Sequence, residues 1–277
     1  MSFRINSNTA SMSAQRYLVK AQREGQKSLR ALASGSRVEE PGNDAAGFAI
    51  SESLRAQAAG LKQAKGNAES AIAFIQTAEG TLNEQNNIMM RLRELAVQSA
   101  SDTIGEEERG YLDQEFQQLS SEFDRIAKSS NYGGKKLLTG ENEEFQFHVG
   151  TNSGEENVIK FNLDANTTAS KVGIDSLNVL DQDDALEAME AIDEGLHTVL
   201  EARSTFGAAQ SRFEYTIDNL SNQFQNVEEA RSIIADVDVA EETANFARSQ
   251  ILQELSTSVL AQANHSHERA LRLLVDM

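Results

Sequence analysis

The chain contains no cysteine, no tryptophan and one proline, and aromatic residues fill only 6% of its 277 positions. Without cysteine it has no disulfide framework, no thiol nucleophile and no thiolate metal ligand. So few aromatics do not suit a bulky aromatic core, and length is expected to go into extension instead. No apolar run approaches the roughly 18 residues of a membrane span. The opening Met1-Ser2-Phe3-Arg4-Ile5-Asn6 lacks the apolar core of a secretory signal, so any export is expected to use a route other than a cleaved signal peptide. Basic residues are scarce as well, 25 against 43 acidic ones, and a net charge of −18 makes nucleic acid or an anionic membrane a poor partner.

Catalytic and ligand-binding patterns are missing too. There is no dinucleotide-binding glycine motif, P-loop, His-Glu-x-x-His or Gly-x-Ser-x-Gly stretch. His148 and His197 stand alone, with no nucleophile or orienting acid in view. His265 and His267, two residues apart on a helix, point to different faces, which does not suit metal ligation. Asp236, Asp238, Glu241 and Glu242 are acidic like a calcium loop but lack its glycine and its spacing. These acids read as hinge and helix-capping residues. Neither an enzyme activity nor a cofactor or metal is expected.

What is present is helical periodicity. Ala208 to Met277 runs without a glycine or proline, as a very long helix requires. Phe213, Ile217, Leu220, Phe224 and Val227 recur at steps of three and four, and after a polar break the pattern resumes at Leu252, Leu255, Val259, Ala263, Ser266, Ala270 and Leu273. A narrow seam of period near 3.5 marks a helix packed lengthwise against other helices. At the other end Ser11, Ala14, Leu18, Ala21, Gly25, Ser28 and Leu32 form a similar seam of mostly small residues. Ordering a residue costs about 1 to 2 kcal/mol, while a buried methylene returns about 0.8. So thin a seam is expected to order only when neighbouring copies cover it, and Leu18, Ala21, Gly25, Leu32, Leu252, Leu255, Val259, Ala263 and Leu273 are read as the inner assembly seam. Residues 1–35 hold six basic residues against Glu24, a net +5, whereas 236–277 net −4, so the two ends are electrostatically complementary.

Between the ends, Pro41-Gly42-Asn43-Asp44 marks a turn, with Asn43 or Asp44 placed to cap the next helix. A helix over 44–100 would be about 85 Å long. Thr103 and Glu106 have the form of a capping box opening a helix over 104–129, with Leu112, Phe116, Leu119, Phe123 and Ile126 on one face. The period then falls to 2 at Phe145, Phe147 and Val149 and again at Ile159, Phe161 and Leu163, predicting a β-hairpin over about 143–164. Asp181, Asp183 and Asp184 open a helix expected over 182–234. The fold class is therefore mainly α: an elongated antiparallel bundle of long helices, or coiled coil, with one β-hairpin. The expected division is an inner terminal coiled coil of 1–41 plus 236–277 around a core of 42–235, with Pro41, Gly42, Asp236 and Asp238 as the hinge.

Several stretches, in this order and at these distances from the ends, resemble the bacterial flagellins. They are Asn43-Asp44-Ala45-Ala46-Gly47-Phe48-Ala49-Ile50, Phe74-Ile75-Gln76-Thr77-Ala78-Glu79-Gly80, Arg91-Leu92-Arg93-Glu94-Leu95-Ala96-Val97-Gln98-Ser99, Asp236-Val237-Asp238-Val239-Ala240-Glu241, Ser249-Gln250-Ile251-Leu252 and Leu260-Ala261-Gln262-Ala263-Asn264. The resemblance implies a short form without large outer domains: a structural subunit of the extracellular flagellar filament, exported by the flagellar type III apparatus, polymerising with many copies of itself for motility. A sheathed or periplasmic filament fits the same reading. Implied partners are an export chaperone, hook-associated and cap proteins, and the vertebrate innate receptor for flagellin, whose contact positions correspond to Arg91, Leu95 and Glu115. A hook-associated junction protein and a soluble helical-bundle binding module are the alternatives. The chain departs from the usual family pattern at Val38-Glu39-Glu40-Pro41-Gly42 and in its last residues, Val275-Asp276-Met277.

Overall fold

The computed structural model describes residues 7–140, 144–162 and 166–275, with the backbone alone for Asn162 and 266–275. In chain order the elements are α1 (Thr9–Ser34), α2 (Ala45–Ser99), α3 (Glu106–Ser129), β1 (Asn131–Tyr132), β2 (Lys135–Lys136), β3 (Glu144–His148), a single 3-10 turn (Glu155–Asn157), β4 (Val158–Asn162), the short α4 (Ala169–Val172), α5 (Gln182–Ala235) and α6 (Val239–Val275). No helix among the described residues is long and apolar enough to cross a membrane.

Helix ends follow local chemistry. The Asn8 side chain accepts the Ser11 amide at 2.9 Å to open α1, and Gly35, at φ 71°, closes it in the left-handed conformation that glycine adopts without steric cost. Asp44 Oδ1 accepts the Gly47 amide at 2.9 Å to open α2, and Asp238 Oδ1 accepts the amides of Ala240 at 2.9 Å and Glu241 at 3.1 Å to open α6. α3 departs from the expected capping box. Its cap is Gly105, with no side-chain bond, while the Thr103 hydroxyl pairs with that of Ser101 at 2.8 Å; the three acids Glu106, Glu107 and Glu108 supply the favourable charge at the first turn instead.

The chain forms two compact units, one of residues 1–56 with 226–277 and one of 57–225. In the 57–225 unit, α2 turns every third or fourth residue from Leu61 through Ala64, Ala68, Ala71, Ile75, Ala78, Leu82, Gln85, Met89, Leu92 and Ala96 into the interior. Against it lie Phe116 and Phe123 of α3 and Ile192, Val199, Phe206 and Phe213 of α5. β3 and β4 pair antiparallel, with Phe145 opposite Phe161 and Phe147 opposite Ile159. This alternation puts the hairpin's rings on the helices: Phe145 lies 4.7 Å from Phe74, Phe147 5.4 Å from Phe213 and Phe161 5.4 Å from Phe206. Phe74, Phe145, Phe147, Phe161, Phe206 and Phe213 thus supply the bulk between the sheet face and the helices. A second, smaller hairpin, unannounced by the periodicity, joins β1 to β2 through Gly133 and Gly134, both at positive φ as a two-residue turn demands.

The irregular stretch after β4 is held by side chains of the neighbouring helices rather than by a ladder. Gln85 binds Thr167, Ser99 donates to Val179 O, Ser120 to Ile174 O at 3.1 Å, and Gln117 to Leu177 O at 2.8 Å. Asp113 and Asp124 accept the amides of Val179 and Ala169. Each buried backbone group so paired avoids the cost of an unsatisfied donor or acceptor.

In the other unit α1 and α6 run antiparallel. Asn8 Nδ2 donates to Ala263 O at 3.1 Å at one end, Gln253 Nε2 to Ala21 O at 3.3 Å midway, and Ser36 bridges Asp236 at the other end.

Candidate assembly interface

The α1–α6 contact is built for closeness. Ala14, Ala21, Gly25, Ser28 and Ala31 are its buried residues on α1, and Ser249 and Ala263 are buried on α6. A Cβ added at Gly25 would stand 3.0 Å from Gln253 Nε2 and 3.4 Å from Ser249 Cβ, so glycine sets the approach distance. Gln253, Ser256 and Leu260 lie half-buried along the same face of α6.

That register decides which residues are left over. Of the expected assembly seam, Ala21, Gly25 and Ala263 are buried and Leu18 and Leu32 half-buried. Leu252, Leu255 and Val259 stand on the outward face, 41%, 56% and 57% exposed, joined by Ile251 at 57%. Leu273 lies outside the residues whose side chains are described. Met12, Tyr17, Val19 and Leu29 of α1 are exposed as well. A row of large apolar side chains at i, i+4 and i+8 facing solvent is the mark of an interaction surface. In the sequence Leu252, Leu255 and Val259 run into the same seam as Ala263, and periodicity has no means of saying which of these residues faces α1.

The two boundary loops are fastened to each other. Arg37 N donates to Ala235 O at 2.7 Å, Val237 N to Gly35 O at 3.0 Å, Ser36 Oγ to Ala235 O at 3.1 Å, and Arg37 Nη2 to Ile234 O at 2.8 Å. Pro41 and Gly42 sit exposed in a turn closed by Asn43 N on Glu40 O at 3.0 Å. Asp236 is exposed, and Asp238 caps α6.

In the 57–225 unit, Arg91 and Glu115 meet on the surface. The guanidinium places Nε at 2.9 Å and Nη2 at 2.8 Å from Glu115 Oε1, and Nη1 at 3.1 Å from Glu94. Its pKa is raised, first by the hydrogen bond to Glu115 and then by that to Glu94. Leu95 is fully buried, so only Arg91 and Glu115 of that trio present themselves outward. Among the described residues no group of three or more metal-ligating side chains gathers; His267, Glu268 and Asp276 fall outside those with described side chains.

A family model described as the bacterial flagellin N-terminal helical region matches residues 5–143, and one described as the C-terminal helical region matches 189–274. The chain belongs to the bacterial flagellin family. A flagellin of Halalkalibacterium halodurans is 43% identical over 271 residues, 98% of this chain and 99% of that protein. The flagellar filament 33 kDa core protein of Treponema phagedenis is 38% identical over 286 residues, again covering 98% and 99%. The crystal structure of Bacillus cereus flagellin aligns with a TM-score of 0.50 at 25% identity, over 60% of this chain and 94% of that one. α1 lies within the first matched region, and the outward row Ile251 to Val259 of α6 lies within the second.

Proposed function

We propose that the chain is the repeating structural subunit of a bacterial flagellar filament, and that it assembles by covering the outward faces of α1 and α6 with neighbouring copies. Membership of a structural-protein family supports the filament role, and no catalytic part is assigned to any residue. The observation that carries the assembly mechanism is the row Ile251, Leu252, Leu255 and Val259, exposed on a helix whose other face already meets α1. Burying such side chains returns about 1.5 to 3 kcal/mol each, whereas the small residues between α1 and α6 return far less. The terminal helices therefore gain most of their stability from neighbours, and folding of the ends is coupled to polymerisation. A contact between two different faces that does not close into a ring propagates as a helical tube.

The filament lies outside the cell, with delivery through the flagellar export apparatus and an export chaperone holding the ends beforehand. Hook-associated and cap proteins bound its two extremities. A vertebrate receptor would meet Arg91 and Glu115, the exposed members of its implied contact. The assembly reading is tested by circular dichroism and electron microscopy before and after adding filament fragments as seeds. Helix content rising as tubes of constant diameter lengthen is the expected result. A fully helical monomer on which seeds have no effect would favour a junction protein of few copies.

A further inference from the structure

Five basic residues of α1, Arg16, Lys20, Arg23, Lys27 and Arg30, follow one another at steps of four, three, four and three. Four of them stand two positions after the residues buried against α6, Arg16 after Ala14, Arg23 after Ala21, Lys27 after Gly25 and Arg30 after Ser28, which carries them about 200° round the helix. They form a row about 21 Å long on the face opposite α6, and all five are exposed. The row is largely uncompensated. Among the described residues Lys20 pairs with Glu24 at 3.8 Å and Arg30 with Glu40, while Arg16, Arg23 and Lys27 reach no carboxylate within ion-pair distance. Met12 and Val19, one heptad apart, stand beside it at 61% and 45% exposure. The shallow trough along this face is lined by α1 alone, with Met12, Arg16, Val19, Lys20 and Arg23 in it.

The net charge of −18, which disfavours an anionic partner for the chain as a whole, is unevenly divided. The unit of 1–56 with 226–277 holds 12 basic residues against 14 acidic, close to neutral, whereas the 57–225 unit holds 13 against 29. Charges beyond the Debye length, about 8 Å at physiological ionic strength, are largely screened, so the face that arrives sets the sign of a contact. On α1 that face is basic with apolar residues set into it. A nucleic acid would use the cations and leave Met12 and Val19 idle. An anionic bilayer uses both, since the stems of lysine and arginine lie along apolar surface while their heads reach the phosphates, and apolar side chains between them enter the acyl boundary.

We propose that the outward face of α1 is a docking surface for an anionic lipid bilayer, with Arg16, Lys20, Arg23, Lys27 and Arg30 on the head groups and Met12 and Val19 below them. The contact involves a single chain and no second copy. Where neighbouring copies cover the same face in a polymer, as the filament reading has it, a lipid-held subunit is withheld from assembly until it leaves the surface.

Co-flotation of the full chain with vesicles of equal parts phosphatidylglycerol and phosphatidylcholine, at about 100 mM NaCl, tests this. The wild type is expected to float with them, to ignore pure phosphatidylcholine and to be released at about 1 M salt. A basic group at an anionic surface tightens binding about fivefold, so Arg16→Gln/Arg23→Gln/Lys27→Gln is expected to weaken it about a hundredfold. Glutamine is a good helix former, and circular dichroism of that variant checks that α1 is kept. Met12→Ser/Val19→Ser leaves the charge in place and is expected to weaken binding about tenfold. Arg125→Gln/Lys128→Gln, in the other unit, floats like the wild type. Absence of wild-type binding, equal binding to phosphatidylcholine, or a glutamine triple variant that floats unchanged overturns the membrane contact. Wild-type affinity in the serine variant, with capture of duplex DNA that the glutamine variant loses, gives the row to nucleic acid and overturns it as well. Seeded growth without lipid reads the filament separately: growth with no flotation sinks only the membrane contact, and flotation with no growth sinks only the filament reading. Phosphatidylglycerol vesicles are expected to slow seeded growth, and unchanged growth at saturating lipid overturns the sharing of the face.

Discussion

Gln85, fully buried on α2, makes three bonds at once: Nε2 donates to Phe123 O at 3.4 Å and Thr167 O at 3.1 Å, and Oε1 accepts from Thr167 Oγ1 at 2.8 Å. It occupies one of the inward positions of α2, and its amide is what ties α2 to α3 and to the segment before α4. Removing one side chain leaves the other buried and unsatisfied, at about 1 to 3 kcal/mol, whereas removing both leaves neither side chain orphaned and only Thr167 O without its Gln85 donor. Gln85→Leu and Thr167→Val are each expected to lower the urea midpoint, and the double change to lower it by clearly less than the two losses combined. Additive losses in that cycle would show that the pair acts independently.

Between elements, Arg93 of α2 grips Asp193 of α5, Nε to Oδ1 at 2.6 Å and Nη2 to Oδ2 at 3.2 Å. The hydrogen bond from Arg93 is the main cause of a lowered Asp193 pKa. A lowered carboxylate pKa contributes stability in full above the unfolded value, near 3.9, and loses it as the pH falls through the folded one. Both side chains are about half exposed, 48% and 49%, so the contribution is small and weakened by salt. The gap in melting temperature between wild type and Asp193→Asn is expected to be constant above about pH 5 and to close below about pH 4. A gap that persists unchanged at pH 2 would assign the difference to packing.

Across the whole molecule the two units differ in what they bury. Phe116, Phe123, Phe206, Phe213, Ile75 and Leu82 are fully buried in the 57–225 unit, while α1 buries only alanine, glycine and serine. Local stability tracks buried apolar surface. Hydrogen exchange on the monomer is expected to be fast throughout α1 and α6 and slow along 61–96 of α2, with the terminal helices gaining protection once filaments form. Equal protection in both units of the monomer would sink the coupling of folding to assembly.

Helix positions, the main hairpin and the family were legible in the chain because they rest on local rules: a 3.5-residue apolar period, a 2-residue alternation, Asp44 and Asp238 as caps, and motifs at set distances from the ends. Gly105 in place of Thr103 as the α3 cap, the Gly133-Gly134 hairpin and the anchoring of residues 167–179 by side chains of α2 and α3 were not, because each depends on backbone geometry or on a partner far away in sequence. The division of labour along α6 was hidden for the same reason. Ser249, Gln253, Leu260 and Leu252, Leu255, Val259 are neighbouring rows with the same period, and periodicity cannot rank them. Only the approach distance permitted by Gly25, a property of two helices together, turns the small and polar row toward α1 and leaves the large apolar row for another molecule.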